Sequence, residues 1–225
     1  MIVDKPYGVR VDGDFPVTVE KLVRLGLGVR MDKFRLCNQL DYSTSGVLVL
    51  GLSKPGARNC NKLFTERRSQ KWYIAVGHGH IKEPYSVGEP ISITERIYEI
   101  PGDFRMRIDN HLGLESETVA LPIRTGLEVF GQPATVFLVR LMTGRRHQIR
   151  LHLRHIGFPI LGDATYGDRA DNMHRMMLHA WKLVLPYKSG KVVEVKTGLL
   201  QELVEILPHD AEKLEEDLVR YSLIV

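Results

Sequence analysis

Residues 47–52, Val-Leu-Val-Leu-Gly-Leu, run without a polar break. The run is far short of the ~20 apolar residues a membrane helix needs. Its pattern suits a strand buried on both faces. Such a strand needs cover on two sides, so the chain has to build layers around it. What leads into it is small and polar: Asn38-Gln39-Leu40-Asp41-Tyr42-Ser43-Thr44-Ser45-Gly46. A carboxylate, Asp41, therefore stands at the mouth of a buried strand. Taken alone it reads as an Asx-turn, with Ser43, Thr44 and Gly46 supplying the turn geometry. Leu40 and the apolar strand argue that the turn is not simply solvated. A carboxylate held at the end of a central strand is well placed to act as nucleophile or base.

The elements around this strand set the fold class. Ser53 can cap a helix with Pro55 in its first turn. Ala57, Cys60, Leu63 and Phe64 fall on one face of that helix, which is expected to end near Arg67. Residues 71–76 are β-rich, and 77–92, with three glycines and two prolines, read as a long loop. Alternation predicts a half-exposed strand over 104–109. It predicts another through Val119, Leu121 and Ile123, where Pro122 demands an edge or a bulge. A strong strand covers 134–142. A Thr-Gly-Arg-Arg loop then leads into a short helix over 147–156, stopped by Gly157 and Pro159. Strands over 176–185 and 192–197 and helices over about 200–207 and 211–221 close the chain. Consecutive strands with few helices between them predict an α+β fold with a mostly antiparallel sheet. The 225 residues, 44% of them hydrophobic, suit one domain over 1–225 with a sizeable core.

The charge is uneven. The last 25 residues hold seven acids and two bases, so the first 200 hold 29 bases against 20 acids. A basic body of this kind fits a polyanionic partner. Cys37 and Cys60 are too few for a disulfide framework and the wrong count for a zinc site, which makes a reducing compartment the default. The N-terminus has no apolar core of a signal peptide. A cytoplasmic or nuclear location is expected, or a mitochondrial one if a leader has been trimmed. His78, His80, His147, His152 and His155 lack the spacing of a metal site.

Two further segments carry site candidates. In Met142-Thr-Gly-Arg-Arg-His-Gln-Ile-Arg-Leu-His-Leu-Arg-His-Ile-Gly157, Ile149, Leu153 and Ile156 form the core stripe. Arg146, Arg150 and Arg154 recur at i+4 and share another face, with His147 beside them. Like charges at that spacing repel unless an anion neutralises them. A phosphate backbone or a buried carboxylate would do so. In Lys71-Trp72-Tyr73-Ile74-Ala75, Lys71 and Tyr73 project to one strand face and Trp72 to the other. Core packing is the plain reading; a stacking platform for an unpaired base is the functional one.

The order of motifs adds a resemblance. Asp4-Lys5-Pro6-Tyr7-Gly8, Leu40-Asp41-x-x-Thr44-Ser45-Gly46, Lys71-x-Tyr73, Gly144-Arg145-x-His147-Gln148-Ile149-Arg150, Pro159-Ile160-x-Gly162-Asp163-x-x-Tyr166-Gly167 and Leu178-His179-Ala180 follow one another. The chain resembles the RluA family of RNA pseudouridine synthases over about residues 2–200. It is closest to the branch that also carries Asn-Gln before Leu-Asp. The resemblance implies a mixed, mostly antiparallel bent sheet with flanking helices and a central RNA-binding cleft. It implies isomerisation of uridine to pseudouridine in tRNA, rRNA or mRNA, without metal or cofactor, by a monomer. Asp41 would be the catalytic aspartate and Arg150 the arginine that pairs with it. Tyr73 would stack on the flipped uracil, and Leu178 would pack beneath it. Gln39, Thr44, Arg145, Arg146, His147 and Arg154 are the remaining expected RNA contacts.

The match has one departure. Most of the family reads His-Arg where this chain has Asn38-Gln39, and the family arginine is thought to fill the gap left by the flipped base. Gln39 can hydrogen-bond base edges but cannot ion-pair with phosphate. The sequence also shows no N-terminal accessory domain of the S4 type, so target choice is expected to rest on the catalytic domain or a partner. A non-catalytic RNA-binding protein or RNA chaperone on the same fold is the competing reading. Keeping Asp41, Tyr73, Arg150 and Leu178 together favours the enzyme.

Overall fold

A computed structural model describes residues 1–28, 35–167, 173–187, 190–207 and 209–225. The chain divides into two compact units, Met1–Gln70 with Ala180–Thr197, and Lys71–His179 with Gly198–Val225.

The first unit is built on β3 (Ser45–Gly51), all seven residues of which are buried. β1 (Ile2–Lys5) pairs with it antiparallel, from Ile2 opposite Val49 to Lys5 opposite Gly46. β2 (Arg35–Leu36) pairs antiparallel with its far end. β10 (Leu178–Pro186), whose first two residues belong to the second unit, pairs antiparallel with β11 (Val192–Lys196).

Alternation along β3 explains the unbroken apolar run. Val47 and Val49 pack with Cys37, Ala57 and Leu183, and Cys60 and Phe64 close over them. Leu48 and Leu50 pack on the opposite face with Val11 and Val19, flanked by Val3 and Val23. Each such side chain contributes about 1.5–3 kcal/mol by leaving water. The first face is covered by α2 (Lys54–Thr65), started by the Ser53 hydroxyl, which accepts from the Gly56 N–H at 3.1 Å. Gly51 lets this helix approach: a Cβ there would lie 2.6 Å from that of Ala57. The second face takes Val19 and Val23 from α1 (Val19–Leu27), capped by Thr18 and ended by Gly28. No helix was expected there. Leu22, Leu25 and Leu27 are exposed on it, and the contact with the core is made by Val19 and Val23.

The second unit carries an antiparallel order β4-β9-β8-β5. These are β4 (Gln70–His78), β5 (Ile91–Ile93), β8 (Thr118–Val129) and β9 (Gln132–Leu141). β8 is where Pro122 was expected to force an edge or a bulge, and the register with β9 shifts between Pro122 and Arg124. A separate hairpin joins β6 (Ile97–Glu99) to β7 (Met106–Ile108), shorter than the 104–109 strand expected. Phe137, Leu138, Leu121 and Ile123 are wholly buried. α3 (Gln148–His155) begins after His147, whose φ of 58° ends the preceding loop in the left-handed region.

This start corrects the arginine face. Arg146 precedes the helix, Arg150 is buried and Arg154 is exposed, so the three do not share a solvated stripe. α4 (Gln201–Ile206) and α5 (Ala211–Ser222) complete the unit, the latter burying Leu214 and Leu218. The acidic tail is therefore anchored: Asp217 bridges to Arg124, and Glu202 to Arg175.

Candidate active site

The Asp41 turn is fixed from several directions within the first unit. The Thr44 N–H donates to the Asp41 carbonyl at 3.1 Å, closing the turn. Asn38 Oδ1 accepts from the Val49 N–H at 2.8 Å, just past the Cys37 N–H bond to the Val49 carbonyl. A side chain thus continues the ladder where β2 ends. Gly46 follows with φ of 108°, and a Cβ there would lie 2.2 Å from the Ala180 carbonyl oxygen, so only glycine serves. Thr44 and Ser45 are buried, Asp41 is half-buried, and Gln39 is exposed.

Beneath the turn lies Lys5, with no exposed surface. Its ammonium donates to the carbonyls of Pro6 at 2.8 Å, Val9 at 2.7 Å and Tyr42 at 3.1 Å. A buried ammonium persists only when its donors are satisfied; here three carbonyls do so, one of them next to Asp41. The Gly8 N–H reaches the same Tyr42 carbonyl at 3.0 Å. Asp4-Lys5-Pro6-Tyr7-Gly8 is thus the support of the aspartate turn. Sequence reading saw this motif without giving Lys5 a role.

In the second unit Tyr73 lies on β4 opposite Val139 of β9 and is buried, as is Trp72 on the other strand face. Arg150 projects from α3 into a bidentate pair with Asp163: Nε to Oδ2 and Nη2 to Oδ1, both at 2.7 Å. Their side chains are 8% and 1% exposed, so solvent screens little of the attraction. Asp163 Oδ1 also accepts the Thr165 and Tyr166 N–H groups at 2.9 and 3.1 Å. Burial pushes the Asp163 carboxyl up; the Arg150 guanidinium and these two N–H groups outweigh burial and hold it below its ordinary value. Arg150 Cζ sits 4.8 Å from the centre of the Tyr166 ring. The Tyr166 hydroxyl accepts the Met106 N–H at 2.7 Å and pairs with His147 Nδ1 at 2.8 Å. Gly162 is required here, since a Cβ would lie 1.8 Å from the Arg175 carbonyl oxygen.

The remaining predicted residues are spread along this unit. Arg145 Nε donates to the Glu115 carbonyl at 3.0 Å. Arg146 bridges to Glu99 at 3.1 Å. Arg154 stands exposed in the last turn of α3. Leu178 is buried at the start of β10. Beside it, burial and then the Arg175 charge push the His179 imidazole down to about 4, while its Nε2 meets the Gly198 carbonyl at 3.2 Å. His152, wholly buried, is pushed down by burial too and is held by Thr118 Oγ1 and the Glu95 carbonyl. Sequence reading missed Asp163 and Tyr166 as partners of Arg150 and His147. The Gly162-Asp163-x-x-Tyr166-Gly167 pattern was the available signal.

The solved structure of human RNA pseudouridylate synthase domain-containing 1 superposes with a TM-score of 0.74 at 36% identity, covering 87% of this chain and 78% of its own. The α+β architecture is therefore the pseudouridine synthase fold. A family model described as RNA pseudouridylate synthase matches residues 1–155. The mouse RNA pseudouridylate synthase domain-containing protein 1 is 35% identical over 212 residues, 85% of this chain and 67% of that one. The tRNA pseudouridine synthase C of Salmonella typhi is 30% identical over 227 residues, 91% of this chain and 84% of that one. The chain belongs to the RluA family of RNA pseudouridylate synthases, enzymes that isomerise uridine in RNA.

Proposed function

We propose that the isomerisation depends on the Asp41 carboxylate and acts on a uridine flipped out of its stack. The observation that carries this reading is the mounting of Asp41. Its backbone is closed by Thr44, braced through Tyr42 by the buried Lys5 ammonium, and backed by a strand with seven buried residues. The carboxylate itself is half-buried rather than sunk in the core. Rigid support with a reachable head is what a positioned nucleophile or base needs.

In the reaction the N1–C1′ bond breaks, the uracil turns, C5 bonds to C1′, the C5 hydrogen leaves as a proton and N1 takes up a proton. Asp41 acts at the ribose, as nucleophile or as base. Inside a helix the reacting atoms are covered, so the base must come out, at a cost of a few kcal/mol, roughly. Tyr73 and Leu178 offset part of that by packing against the uracil. Arg150, held in place by Asp163, orients the aspartate. Arg145, Arg146, His147 and Arg154 contact phosphates, which set register without reading sequence. Gln39 and Thr44 contact the nucleotide beside the turn. The name of the Salmonella relative makes tRNA the first substrate to try, before rRNA and mRNA.

The test is tritium release from RNA labelled at uridine C5. Wild-type protein is expected to release it and Asp41→Asn to release none. Release by Asp41→Asn at the wild-type rate would remove the aspartate from the chemistry.

A further inference from the structure

The second unit contains a cleft of about 550 Å³ lined by Asp103, Phe104, Arg105, Arg154, Ala164, Thr165 and Gly167. Its outer wall is the tip of the β6–β7 hairpin. The Asp103 carboxylate accepts the Arg105 N–H at 2.9 Å and grips its guanidinium, Nη2 to Oδ2 at 2.7 Å. This clamp neutralises both charges. It also leaves Phe104 between them, 65% exposed.

The hairpin that carries Phe104 is held in place. Ile97 and Met106 share a buried cluster with Leu151 of α3 and Tyr166. The Met106 N–H bonds the Tyr166 hydroxyl, and Arg146 bridges back to Glu99. A lone exposed phenylalanine is ordinary on a protein surface. A phenylalanine on a fixed hairpin, in a cleft with an exposed cation, is a different matter. Arg105 is already gripped by Asp103, so among the described residues lining the cleft the exposed Arg154 is the cation left to meet an anion. Thr165 adds a hydroxyl, and its N–H is already taken by Asp163.

An aromatic face, an exposed guanidinium and a hydroxyl in one groove match a nucleotide, with its base on the ring and its phosphate on the cation. The location narrows the source. Thr165 lies in the turn whose Asp163 grips Arg150. We propose that this cleft binds one unpaired nucleotide of the substrate RNA, other than the target uridine. Phe104 stacks its base, and Arg154 and Thr165 take its phosphate. The proposal rests on the RNA-modifying reading above.

Tryptophan substitution gives a direct reading, because the native Trp72 and Trp181 are buried. Phe104→Trp is expected to keep RNA affinity and to lose its added fluorescence when a short single-stranded oligouridylate binds. Phe104→Ala is expected to raise Kd for that oligomer about tenfold, the scale of one lost stacking contact. Blunt duplex RNA should bind both variants as it binds wild type. Arg154→Ala is expected to flatten the salt dependence by about 0.7 in log–log slope, the mark of one phosphate on a single strand.

Unchanged oligouridylate affinity in Phe104→Ala, or no quenching in Phe104→Trp, would overturn the subsite. Quenching by uridine monophosphate as strong as by the oligomer would overturn its assignment to an RNA strand. Tritium release unaffected by Asp41→Asn would sink the catalytic reading while leaving quenching at position 104 intact, so the two failures are separable.

Discussion

Asp163→Asn is the substitution that most sharply tests the support of Arg150. The asparagine keeps the shape and one oxygen. That oxygen still accepts the N–H groups of Thr165 and Tyr166 and one guanidinium N–H. The second position becomes an NH₂ group, which sets a donor against Arg150 Nε where Oδ2 now accepts at 2.7 Å. One charge-assisted bond is lost, worth about 1.5–3 kcal/mol, and the guanidinium stays buried without its counter-charge. Breaking a buried pair on one side costs about 3–5 kcal/mol in all. Urea unfolding monitored by fluorescence should show that loss, and tritium release should fall with it because Arg150 loses its orientation. The pH dependence gives a second reading. Asp163 is held below its unfolded value of 3.8, so its contribution is fully present above that pH and is lost as pH falls through the folded value. Asp163→Asn should remove that acid-limb sensitivity. The double variant Arg150→Met with Asp163→Leu should regain most of the stability, since apolar replacement of a buried pair is close to neutral, and should still be inactive. A single Asp163→Asn variant that loses less than about 1 kcal/mol would refute the reasoning, because it would mean the pair is screened rather than buried.

Two other perturbations act elsewhere. Lys5→Met leaves the carbonyls of Pro6, Val9 and Tyr42 without their shared donor. It is expected to cost about 3 kcal/mol in thermal or urea unfolding and to abolish tritium release with it; full turnover would separate the lysine from the Asp41 turn. His179 is pushed from 6.5 to about 4. The unfolded chain takes up its proton first, so stability falls as pH drops from 6.5 towards 4, by about 3 kcal/mol over that range. Urea titrations at several pH values should show this slope, and His179→Gln should flatten it.

The legible part of the fold was the part governed by local pattern. The unbroken run at 47–52 reads as doubly buried because α1 and α2 take alternate residues of β3. Ser53 and Pro55 mark the start of α2, and Pro122 marks the shift in β8, because each residue type has few conformations to offer. The illegible part was set by partners far along the chain. The spacing of Arg146, Arg150 and Arg154 predicts a common face. Arg150 is instead drawn inward by a carboxylate 13 residues on, a pairing that helical periodicity cannot express. Burial of Lys5 depends on a carbonyl 37 residues away. α1 went unseen: its three leucines all stay exposed, and its contact with β3 runs through Val19 and Val23.

The same distinction bears on Asn38-Gln39, where the chain departs from the His-Arg of most relatives of its family. The two positions are not equivalent. Asn38 spends its side-chain oxygen on the Val49 N–H, directly beyond the last bond of the β2–β3 ladder, and so belongs to the scaffold that fixes Asp41. Gln39 is exposed one residue further on, uncharged, and ahead of the braced turn. A change at 38 therefore acts through the placement of the aspartate, whereas a change at 39 acts on whatever nucleotide approaches it. Restoring the family arginine with Gln39→Arg should strengthen RNA binding and steepen its salt dependence. It should do so without the loss of stability that Asn38→Ala brings by leaving a strand N–H unpaired.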